Sequence, residues 1–488
     1  MISKKTFEYL DHLLIKNYSK KFLVKDSKGS NNLKQLKERF NYIVNLLLKK
    51  DFKKDDRVLI ISSNRVEVFL IQFAVSYIGG VSSIVDDNLK DKSYEYIIND
   101  LKSKILFLSK KNNFVFLKKF LNLKNIFFQN INFRQKDLKK VKFKRSIKDL
   151  AIIIYASGTT GSPKGIMCSH ENIIFSMYSI QNSLKYNSRD KIAIFLPFSF
   201  DYGLYQVYMA LASESQVYIG RLNNISFDYL NFLKKNSITV LPLVSQHLKI
   251  LLIQLKKNKI KLKIRLITNT GSELRHDLIK DFLRLFGNVE VFSMYGLTEC
   301  KRVSILRSKE YLKKYYTVGK PIKGTNCWLI DKKGKKIKKS GIKGELVVKG
   351  PNVTMGYLND KNLTKQKFKP NNILLTGDIC SLDNKGYLYF YGRKDDIFKY
   401  KDYRLSKKEI EKNINEIKEI NDSFVYVSER FTNYTIFIVT GLKLETAIKK
   451  IKDKLETYKF TENIQKIKNI KRDQRGKILK NFVNKIIK

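Results

Sequence analysis

Cysteine is scarce in this chain, and the positions of the few that occur exclude two common ways of stabilising a fold. Only four are present among 488 residues: Cys168, Cys300, Cys327 and Cys380. They are widely separated and form no C-x-x-C pair, so the sequence favours neither a disulfide framework nor a zinc site. This distribution predicts a reducing, cytoplasmic setting.

Long apolar segments are also lacking. The first residues, MISKKTFEYLDHLLIKNYSKK, carry charges throughout and have no apolar core of the kind that a secretory signal needs. No uninterrupted apolar stretch approaches the ~20 residues that a membrane-spanning helix requires. The sequence therefore predicts a soluble protein with no transmembrane segment.

Acidic side chains are few in comparison with basic ones. The chain has 45 Asp and Glu against 96 Lys and Arg, which gives a formal net charge of +51. Such an excess is found in proteins that bind nucleic acid or anionic membranes. Here, however, short basic runs such as KKVKFKR and KKGKKIKK recur along the whole chain, without one basic tail or an aromatic-interleaved stripe. We interpret the charge as a feature of composition and solvated surface, which would still attract phosphate-rich substrates.

The apolar residues that are present alternate between two periods. At 43% hydrophobic and 12% aromatic residues the chain is globular, and its length allows two or more domains. Runs of strand length such as RVLIIS, KIAIFLP, TVLPLV and IRLIT are each followed by a helical pattern. This rhythm predicts an α/β fold with parallel sheets and helices on their faces, in which ligands lie beyond the carboxyl ends of the strands.

The pattern changes twice towards the C-terminus. From about Trp328, glycine-punctuated strands such as GELVVKGP and GYLYFYGR predict antiparallel hairpins, forming a small β-barrel-like part. Glycine and charge then dominate in GRKDDIFKYKDYR, at 392–404. We place a domain boundary there and predict a large N-terminal domain over 1–394. A small, mobile α+β domain is predicted over 395–488.

One loop points to chemistry. The segment YASGTTGSPKG at 155–165 follows a predicted strand and combines glycines, hydroxyl side chains and one lysine. Glycines let backbone N–H groups approach a ligand, hydroxyls donate hydrogen bonds, and the lysine adds a positive charge, so the loop suits a polyphosphate. Its spacing is not that of the Walker motif, which disfavours a P-loop ATPase. Ser169 is the predicted N-cap of the helix that follows.

Four further motifs follow in order: MYGLTEC at 294–300, TGD at 376–378, YGRKDD at 391–396 and RGKI at 475–478. Together with the 155–165 loop they resemble the adenylate-forming superfamily, which comprises acyl-CoA synthetases, amino-acid adenylation domains and luciferase-like ligases. The resemblance extends over nearly the whole chain. It implies that the protein activates a carboxylic acid with ATP, releases pyrophosphate, and passes the acyl group from AMP to a thiol.

The resemblance also implies roles for individual residues. The β- and γ-phosphates would be held by Ser157, Gly158, Thr159, Thr160, Gly161 and Lys164. The adenine would be bordered by Gly271, Ser272 and Glu273 and stacked on Tyr295. Thr298 would contact the α-phosphate, Glu299 would help to hold Mg²⁺, Asp378 would accept both ribose hydroxyls, and Arg393 would lie near the ribose and phosphate.

Two residues are tied to movement of the small domain. Lys477, in KRDQRGKI, matches the terminal lysine that bridges carboxylate and α-phosphate oxygens in the family. Lys471 and Asp473 replace the usual proline and threonine of that motif. Asp395 matches the hinge about which the small domain turns between the two half-reactions. Asp402 replaces a glycine that usually lies beside the thiol's path.

The acid and the acceptor remain open. Phe200 and Asp201, in LPFSFDYGLYQ, resemble the pair that meets the α-ammonium of the substrate in amino-acid adenylation domains, but Asp201 could equally favour the start of a helix. The acid could be fatty, aryl or amino. The chain ends soon after Lys477, so we expect a separate acceptor: coenzyme A first, and the phosphopantetheine of a free carrier protein as the alternative. A basic nucleic-acid-binding protein with a degenerate ligase fold is a third reading, disfavoured by the intact motif residues.

Overall fold

The computed structural model describes residues 7–109, 120, 124–128, 134–141, 143–157, 163–220, 227–258, 260–271, 274, 276–400, 403–427, 434–455, 459–473 and 477–487. The predicted residues Gly158, Thr159, Thr160, Gly161, Ser272 and Glu273, together with Asp402, lie outside these ranges, as do Arg475 and Gly476 of RGKI.

A seven-stranded sheet forms the first layer, in the order β19-β8-β7-β4-β3-β5-β6. The N-terminal part of the chain provides the elements α1 (His12–Ile15), β1 (Leu23–Asp26), β2 (Gly29–Asn32), α2 (Leu33–Lys49), β3 (Arg57–Ile61), α3 (Val66–Ile78), β4 (Val81–Val85), α4 (Asp91–Leu101), β5 (Ile105–Leu108), β6 (Lys124–Phe127), β7 (Leu150–Ser157), β8 (Pro163–Ser169) and α5 (His170–Leu184). The central strand pairs of this seven-stranded sheet are parallel, whereas β7 and β8 form an antiparallel pair around the 155–165 loop.

A nine-stranded sheet forms the second layer, in the order β15-β14-β13-β12-β11-β9-β10-β1-β2. Its elements are β9 (Lys191–Ile194), α6 (Asp201–Ser213), β10 (Gln216–Ile219), α7 (Phe227–Lys235), β11 (Val240–Leu243), α8 (Ser245–Asn258), β12 (Leu266–Asn269), α9 (His276–Phe286), β13 (Glu290–Tyr295), β14 (Ser304–Leu306), α10 (Ser308–Lys314) and β15 (Lys320–Pro321). Strands β9 to β13 are parallel, so the loops after them meet at one edge of the sheet.

The main hydrophobic core lies between these two sheets. Val58 and Ile60 of β3 and Ile192 and Ile194 of β9 belong to one continuous buried cluster, which also takes in most of α3 and α6. Helix α3 is apolar on nearly every side because it packs between the layers and has no solvent face. Ser169 caps α5 as predicted, since its hydroxyl accepts a hydrogen bond from the backbone N–H of Asn172 at 3.2 Å.

The glycine-punctuated region forms an open antiparallel sheet of six strands, not a closed barrel. It contains β16 (Asn326–Ile330), β17 (Lys336–Ile337), β18 (Gly344–Lys349), β20 (Phe368–Lys369), β21 (Ile373–Leu382) and β22 (Leu388–Arg393). Strand β19 (Gly356–Tyr357) joins the first sheet, and α11 (Lys361–Lys367) follows it. The predicted β-barrel-like part is therefore wrong.

The edge strand β22 explains why this sheet does not close. Its residue Leu388 donates a backbone hydrogen bond to Gly319 at 2.9 Å and accepts one from Val318 at 2.8 Å. Tyr387, just before the strand, is buried in the hydrophobic cluster of the nine-stranded sheet, and Tyr389 packs against that cluster. Backbone groups at the outer edge of β22 thus find hydrogen-bond partners in the neighbouring layer, so the six-stranded sheet need not close into a barrel.

The last part of the chain has a core of its own. After a 3₁₀ turn at Lys394–Asp396 it forms β23 (Ile397–Tyr400), β24 (Tyr403–Ser406), α12 (Lys407–Asn415), β25 (Ile420–Val427), β26 (Tyr434–Thr440), α13 (Leu444–Lys454), β27 (Ile464–Lys466) and α14 (Lys480–Ile487). Its buried cluster includes Phe398, Ile410, Ile436 and Ile451. A large domain of α/β layers followed by a small α+β domain is the predicted arrangement. No helix among the described residues is long and apolar enough to cross a bilayer.

Candidate active site

Tyr295 and Asp378 are in direct contact at the junction of two sheets. Tyr295 ends β13 of the nine-stranded sheet, and Asp378 lies in β21 of the open sheet, 83 residues later in the chain. The Tyr295 hydroxyl donates a short hydrogen bond to Oδ2 of Asp378. The structure therefore brings together two residues that the sequence predicted to meet the adenine and the ribose.

Asp378 is a buried carboxylate. Its side chain is buried, and burial raises the pKa of Asp378 from 3.8 to about 6, although the hydrogen bond from Tyr295 and the charge of Arg393 act in the opposite direction. Burial also raises the pKa of Tyr295 well above its ordinary value, so this phenol stays a donor. Oδ1 of Asp378 accepts no hydrogen bond from the described residues. A buried acceptor without a donor is what a bound hydroxyl group would satisfy.

Arg393 is placed beside Asp378 by strand pairing. The two residues are opposite each other in the antiparallel pair of β21 and β22, with Nε of Arg393 3.8 Å from Oδ1 of Asp378. Gly377, just before Asp378, has a φ of +75°, and its N–H donates to Glu345 at 3.1 Å. A side chain at position 377 would be strained at this φ, so glycine permits the irregular backbone of β21 just before Asp378.

Glu299 lies in the loop that follows β13. Its Oε1 accepts a hydrogen bond of 2.7 Å from the hydroxyl of Tyr357, the last residue of β19. Glu299 is close enough to Asp378 for its charge to raise the pKa of that residue. Thr298 precedes Glu299 in the same loop.

Lys164 connects the 155–165 loop to this cluster. It lies in β8, and its Nζ is 5.8 Å from the centre of the Tyr357 ring. The same Nζ donates to Oδ2 of Asp360 at 3.1 Å. Tyr357 therefore contacts Glu299 and lies near Lys164, which puts the predicted phosphate and magnesium residues in one neighbourhood.

Asp201 is the first residue of α6, and Phe200 is its N-cap. Phe200 has no polar side-chain atom and makes no capping hydrogen bond. Oδ2 of Asp201 lies 3.9 Å from Nζ of Lys301, and both side chains are buried. Phe200 packs against the main core and meets the ring of Tyr202 edge to face, with 6.1 Å between the ring centres.

The remaining predicted residues are distributed around this centre. Gly271 follows β12 with a φ of +83°, a conformation that favours glycine. Asp395 lies in the 3₁₀ turn between β22 and β23. Lys477 is exposed in a hairpin in which its backbone N–H donates to Asp473 at 2.9 Å. That hairpin is attached to β25, because Arg472 donates to Asp422 at 2.8 Å.

The donor set fits a nucleotide with Mg²⁺. Within the described ranges no group of three or more His, Cys, Asp or Glu side chains could hold a metal ion by itself. Mg²⁺ usually takes one or two carboxylates and completes its shell with substrate phosphates and water, so Glu299 beside a triphosphate would suffice. The bound ion would neutralise charge on the phosphates.

Sequence reasoning missed three residues of this site: Tyr357, Asp360 and Lys301. Tyr357 and Asp360 lie in a segment with no motif, and only the pairing of β19 with β8 brings them to Lys164. Lys301 follows Glu299 by two positions, but one more cation carries no signal in a chain with 96 of them.

Fold and site together match an enzyme family that binds AMP. The model of the family described as AMP-binding enzyme matches residues 15–358, and the chain belongs to this family.

Relatives of known description include two kinds of protein. Gramicidin S synthase 1 of Brevibacillus brevis is 27% identical over 395 residues, which cover 77% of this chain and 34% of that protein. The 4-coumarate--CoA ligase-like 6 of Arabidopsis thaliana is 27% identical over 354 residues, which cover 70% of this chain and 62% of that protein. The chain thus spans about a third of the synthase and less than two thirds of the plant protein.

Solved structures share the fold over almost the full length. ATP-bound MatB from Rhodopseudomonas palustris superposes with a TM-score of 0.87 at 21% identity, covering 99% of both chains. The o-succinylbenzoate coenzyme A synthetase MenE from Bacillus subtilis, in complex with AMP, gives 0.85 at 21% identity and 97% of both chains.

Proposed function

We propose that this protein joins a carboxylic acid to AMP and then transfers the acyl group to the thiol of coenzyme A. The observation that carries the proposal is the buried carboxylate of Asp378, which Tyr295 and Arg393 orient and whose Oδ1 accepts no hydrogen bond within the described part of the chain. A ribose hydroxyl is a donor of the right kind for that oxygen.

The first half-reaction needs charge control at the α-phosphorus. A carboxylate oxygen of the acid attacks that phosphorus, the bond to the bridging oxygen breaks, and pyrophosphate leaves. Lys164 and the hydroxyls of the 155–165 loop would hold the departing phosphates, Thr298 would donate to the α-phosphate, and Lys477 would offset negative charge on both reactants. Catalysis by positioning and fixed charge is typical of phosphoryl and nucleotidyl transfer.

The second half-reaction needs an external thiol. The sulfur attacks the carbonyl carbon of the acyl-adenylate, the bond to the phosphate oxygen breaks, and AMP leaves. The chain's own cysteines are poor acceptors, because burial raises the pKa of Cys168, Cys300 and Cys380, and that of Cys327 to about 12. The thiolate is the nucleophile, and these thiols form little of it at neutral pH.

A second candidate is activation of an amino acid for a free carrier protein. The similarity to gramicidin S synthase 1 and the pair Phe200–Asp201 favour it. In this chain, however, Asp201 already faces the ammonium group of Lys301. An incoming substrate ammonium would compete with that lysine for the carboxylate.

Pyrophosphate exchange into ATP tests the first half-reaction. We expect exchange with one class from a panel of fatty, aryl, dicarboxylic and amino acids, and thioester formation once coenzyme A is added. Glu299→Ala should lower the exchange rate by roughly 100-fold because it removes the metal carboxylate. Glu290→Ala is the control, since Glu290 begins the same strand β13 but is half exposed. Nucleic-acid binding in a gel shift without exchange for any acid would contradict the proposal.

A further inference from the structure

Strand β21 departs from regular pairing at Asp378. It pairs with β18 on both sides of the irregularity, and the register shifts between Glu345 and Val347 of β18. Three residues of β21, at 376–378, are therefore opposite the single residue Leu346. A bulge of this kind leaves backbone groups without their usual partners in the ladder and changes the direction of a side chain, and bulges are common next to active sites.

Side chains replace the missing ladder partners in this bulge. The Thr376 hydroxyl donates to the carbonyl of Leu346 at 2.8 Å and accepts from the N–H of Asp378 at 3.0 Å. The N–H of Gly377 donates to Oε1 of Glu345 at 3.1 Å. Glu345 therefore supplies the acceptor that a neighbouring strand would otherwise provide, and it fixes the residue immediately before Asp378.

The second carboxylate oxygen of Glu345 binds a residue near the predicted hinge. Oε2 accepts a short hydrogen bond from Nζ of Lys394, the first residue of the 3₁₀ turn Lys394–Asp396 that leads into the small domain. The side chain of Glu345 is 10% exposed, whereas that of Lys394 is 56% exposed. Salt screens an ion pair less when one partner is nearly buried. Glu345 thus joins the bulge to the start of this turn.

Arg393 lies between the two attachments. It is opposite Asp378 in the pair of β21 and β22, and it directly precedes Lys394. Its Nη2 is 3.6 Å from the position that a Cβ atom at Gly377 would occupy, so the guanidinium lies next to the bulge. Fixing Gly377 and Lys394 therefore restricts Asp378 and Arg393, the two residues predicted to meet the ribose.

We propose that Glu345 is a positioning residue for the nucleotide. Through Gly377 it holds Asp378 in place for the ribose. Through Lys394 it keeps Arg393 beside that carboxylate when the small domain moves. The inference rests on the proposed function, since it takes the ribose to bind at Asp378.

The first test breaks the ion pair from its exposed side. Lys394→Met should weaken the binding of ATP and of AMP by the same factor, about three- to fivefold, because both ligands carry the ribose. KM for pyrophosphate in the exchange reaction should stay within about twofold, since pyrophosphate binds at the other end of the nucleotide. Lys394→Arg should retain the affinity of the unaltered protein. Isothermal titration calorimetry of the full chain with Mg²⁺ measures both dissociation constants.

Variants of Glu345 separate its two contacts. Glu345→Gln keeps an oxygen for the N–H of Gly377 but loses the charge that holds Lys394, so it should match Lys394→Met. The double variant should bind no more weakly than either single variant, whereas independent effects would multiply to roughly 10- to 25-fold. Glu345→Ala leaves the N–H of Gly377 without this acceptor and should weaken both nucleotides about 10-fold or more.

Lys450→Met is the matched control, because it breaks a more exposed ion pair of the small domain, with Glu419 at 3.0 Å. It should change none of these constants. Unchanged affinity for ATP and AMP in Lys394→Met and Glu345→Gln would overturn this inference and leave the proposed function standing. Effects that multiply in the double variant, or an equal loss in the control, would overturn it as well. Absence of nucleotide binding by the unaltered protein would overturn the proposed function itself, and the inference with it.

Discussion

At the scale of single residues, Asp378 combines a cost in stability with a role in binding. Burial raises its pKa from 3.8 to about 6, so the folded protein must ionise a desolvated carboxyl group at neutral pH. The folded-state pKa lies above the unfolded one. The protonated carboxyl group of Asp378 therefore makes its full favourable contribution to folding below pH 3.8. This contribution is lost as the pH rises through 6.

We predict that Asp378→Asn stabilises the protein without nucleotide while weakening ATP binding. The gain in unfolding free energy should grow between pH 4 and 6 and level off above that range at up to about 3 kcal/mol. KM for ATP should rise roughly 10- to 100-fold because a charged acceptor is lost. Urea unfolding across pH 4.5–8 and exchange kinetics measure the two effects.

The control for this prediction is Asp453→Asn, on the exposed side of α13. It should change neither quantity. If the difference in unfolding free energy between Asp378→Asn and the unaltered protein does not vary with pH, the carboxyl group is not its cause.

Residue identities in the site were partly predictable. The resemblance to the adenylate-forming superfamily predicted roles for Tyr295, Glu299 and Asp378, and the structure places the three near one another. Their mutual contacts were not predictable, because Tyr295 and Asp378 belong to different sheets. Lys301 was missed for a different reason: its importance lies in its burial, and burial of one lysine among many has no sequence signature.

At the scale of elements, the turn between β19 and α11 restrains the lysine next to the 155–165 loop. Asp360 caps α11 by accepting from the N–H of Leu363 at 3.0 Å, and its other oxygen binds Lys164 at 3.1 Å. In the proposed function Lys164 holds phosphates of ATP. We therefore expect its ion pair with Asp360 to compete with ATP for this lysine.

Asp360→Asn should lower KM for ATP by about two- to fivefold, the range expected for a partly exposed ion pair. Asparagine caps helices as well as aspartate does, so α11 is retained while the charge is removed. Asp51→Asn, which breaks an exposed pair with Lys53, should leave KM unchanged. An increase in KM for Asp360→Asn would mean that Asp360 positions Lys164 for the nucleotide.

Most elements could be read from the sequence, whereas their pairing could not. The apolar runs predicted β3, β11 and β12 within two residues at either end and β9 within three, because a buried parallel strand is apolar throughout. The hairpin of β1 and β2 was not predicted to extend the nine-stranded sheet. Its pairing with β10 joins residues about 190 positions apart, and nothing local specifies such a partner. The prediction of a barrel-like sheet was wrong because β22, besides pairing with β21, bonds to Val318 and Gly319 of the neighbouring layer.

At the scale of the whole molecule, the small domain carries the cation assigned to the first half-reaction. Lys477 is exposed at the end of a hairpin fixed to β25, so its place in catalysis depends on where that domain sits. We predict that Lys477→Ala lowers the rate of pyrophosphate exchange about 100-fold or more. Thioester formation from a supplied acyl-adenylate should stay within about threefold, because no charge then develops on the α-phosphate.

Lys471→Ala provides the matched control, since Lys471 is an exposed lysine of the same hairpin. It should affect neither half-reaction. Equal loss of both half-reactions in Lys477→Ala would count against the assignment, and a comparable loss in Lys471→Ala would point to general surface charge.

The low reactivity expected of the four cysteines has a practical consequence for watching that domain, since Cys168, Cys300 and Cys380 are buried and the pKa of the half-buried Cys327 is raised to about 12. None of the native sulfurs should react readily with maleimide dyes near neutral pH. A pair of fluorophores could therefore be attached at two introduced surface cysteines, for instance in place of Lys443 and Lys256, without first deleting any native one. Energy transfer between the dyes would then report, in single molecules, whether adding ATP and the acid changes the separation of the two parts.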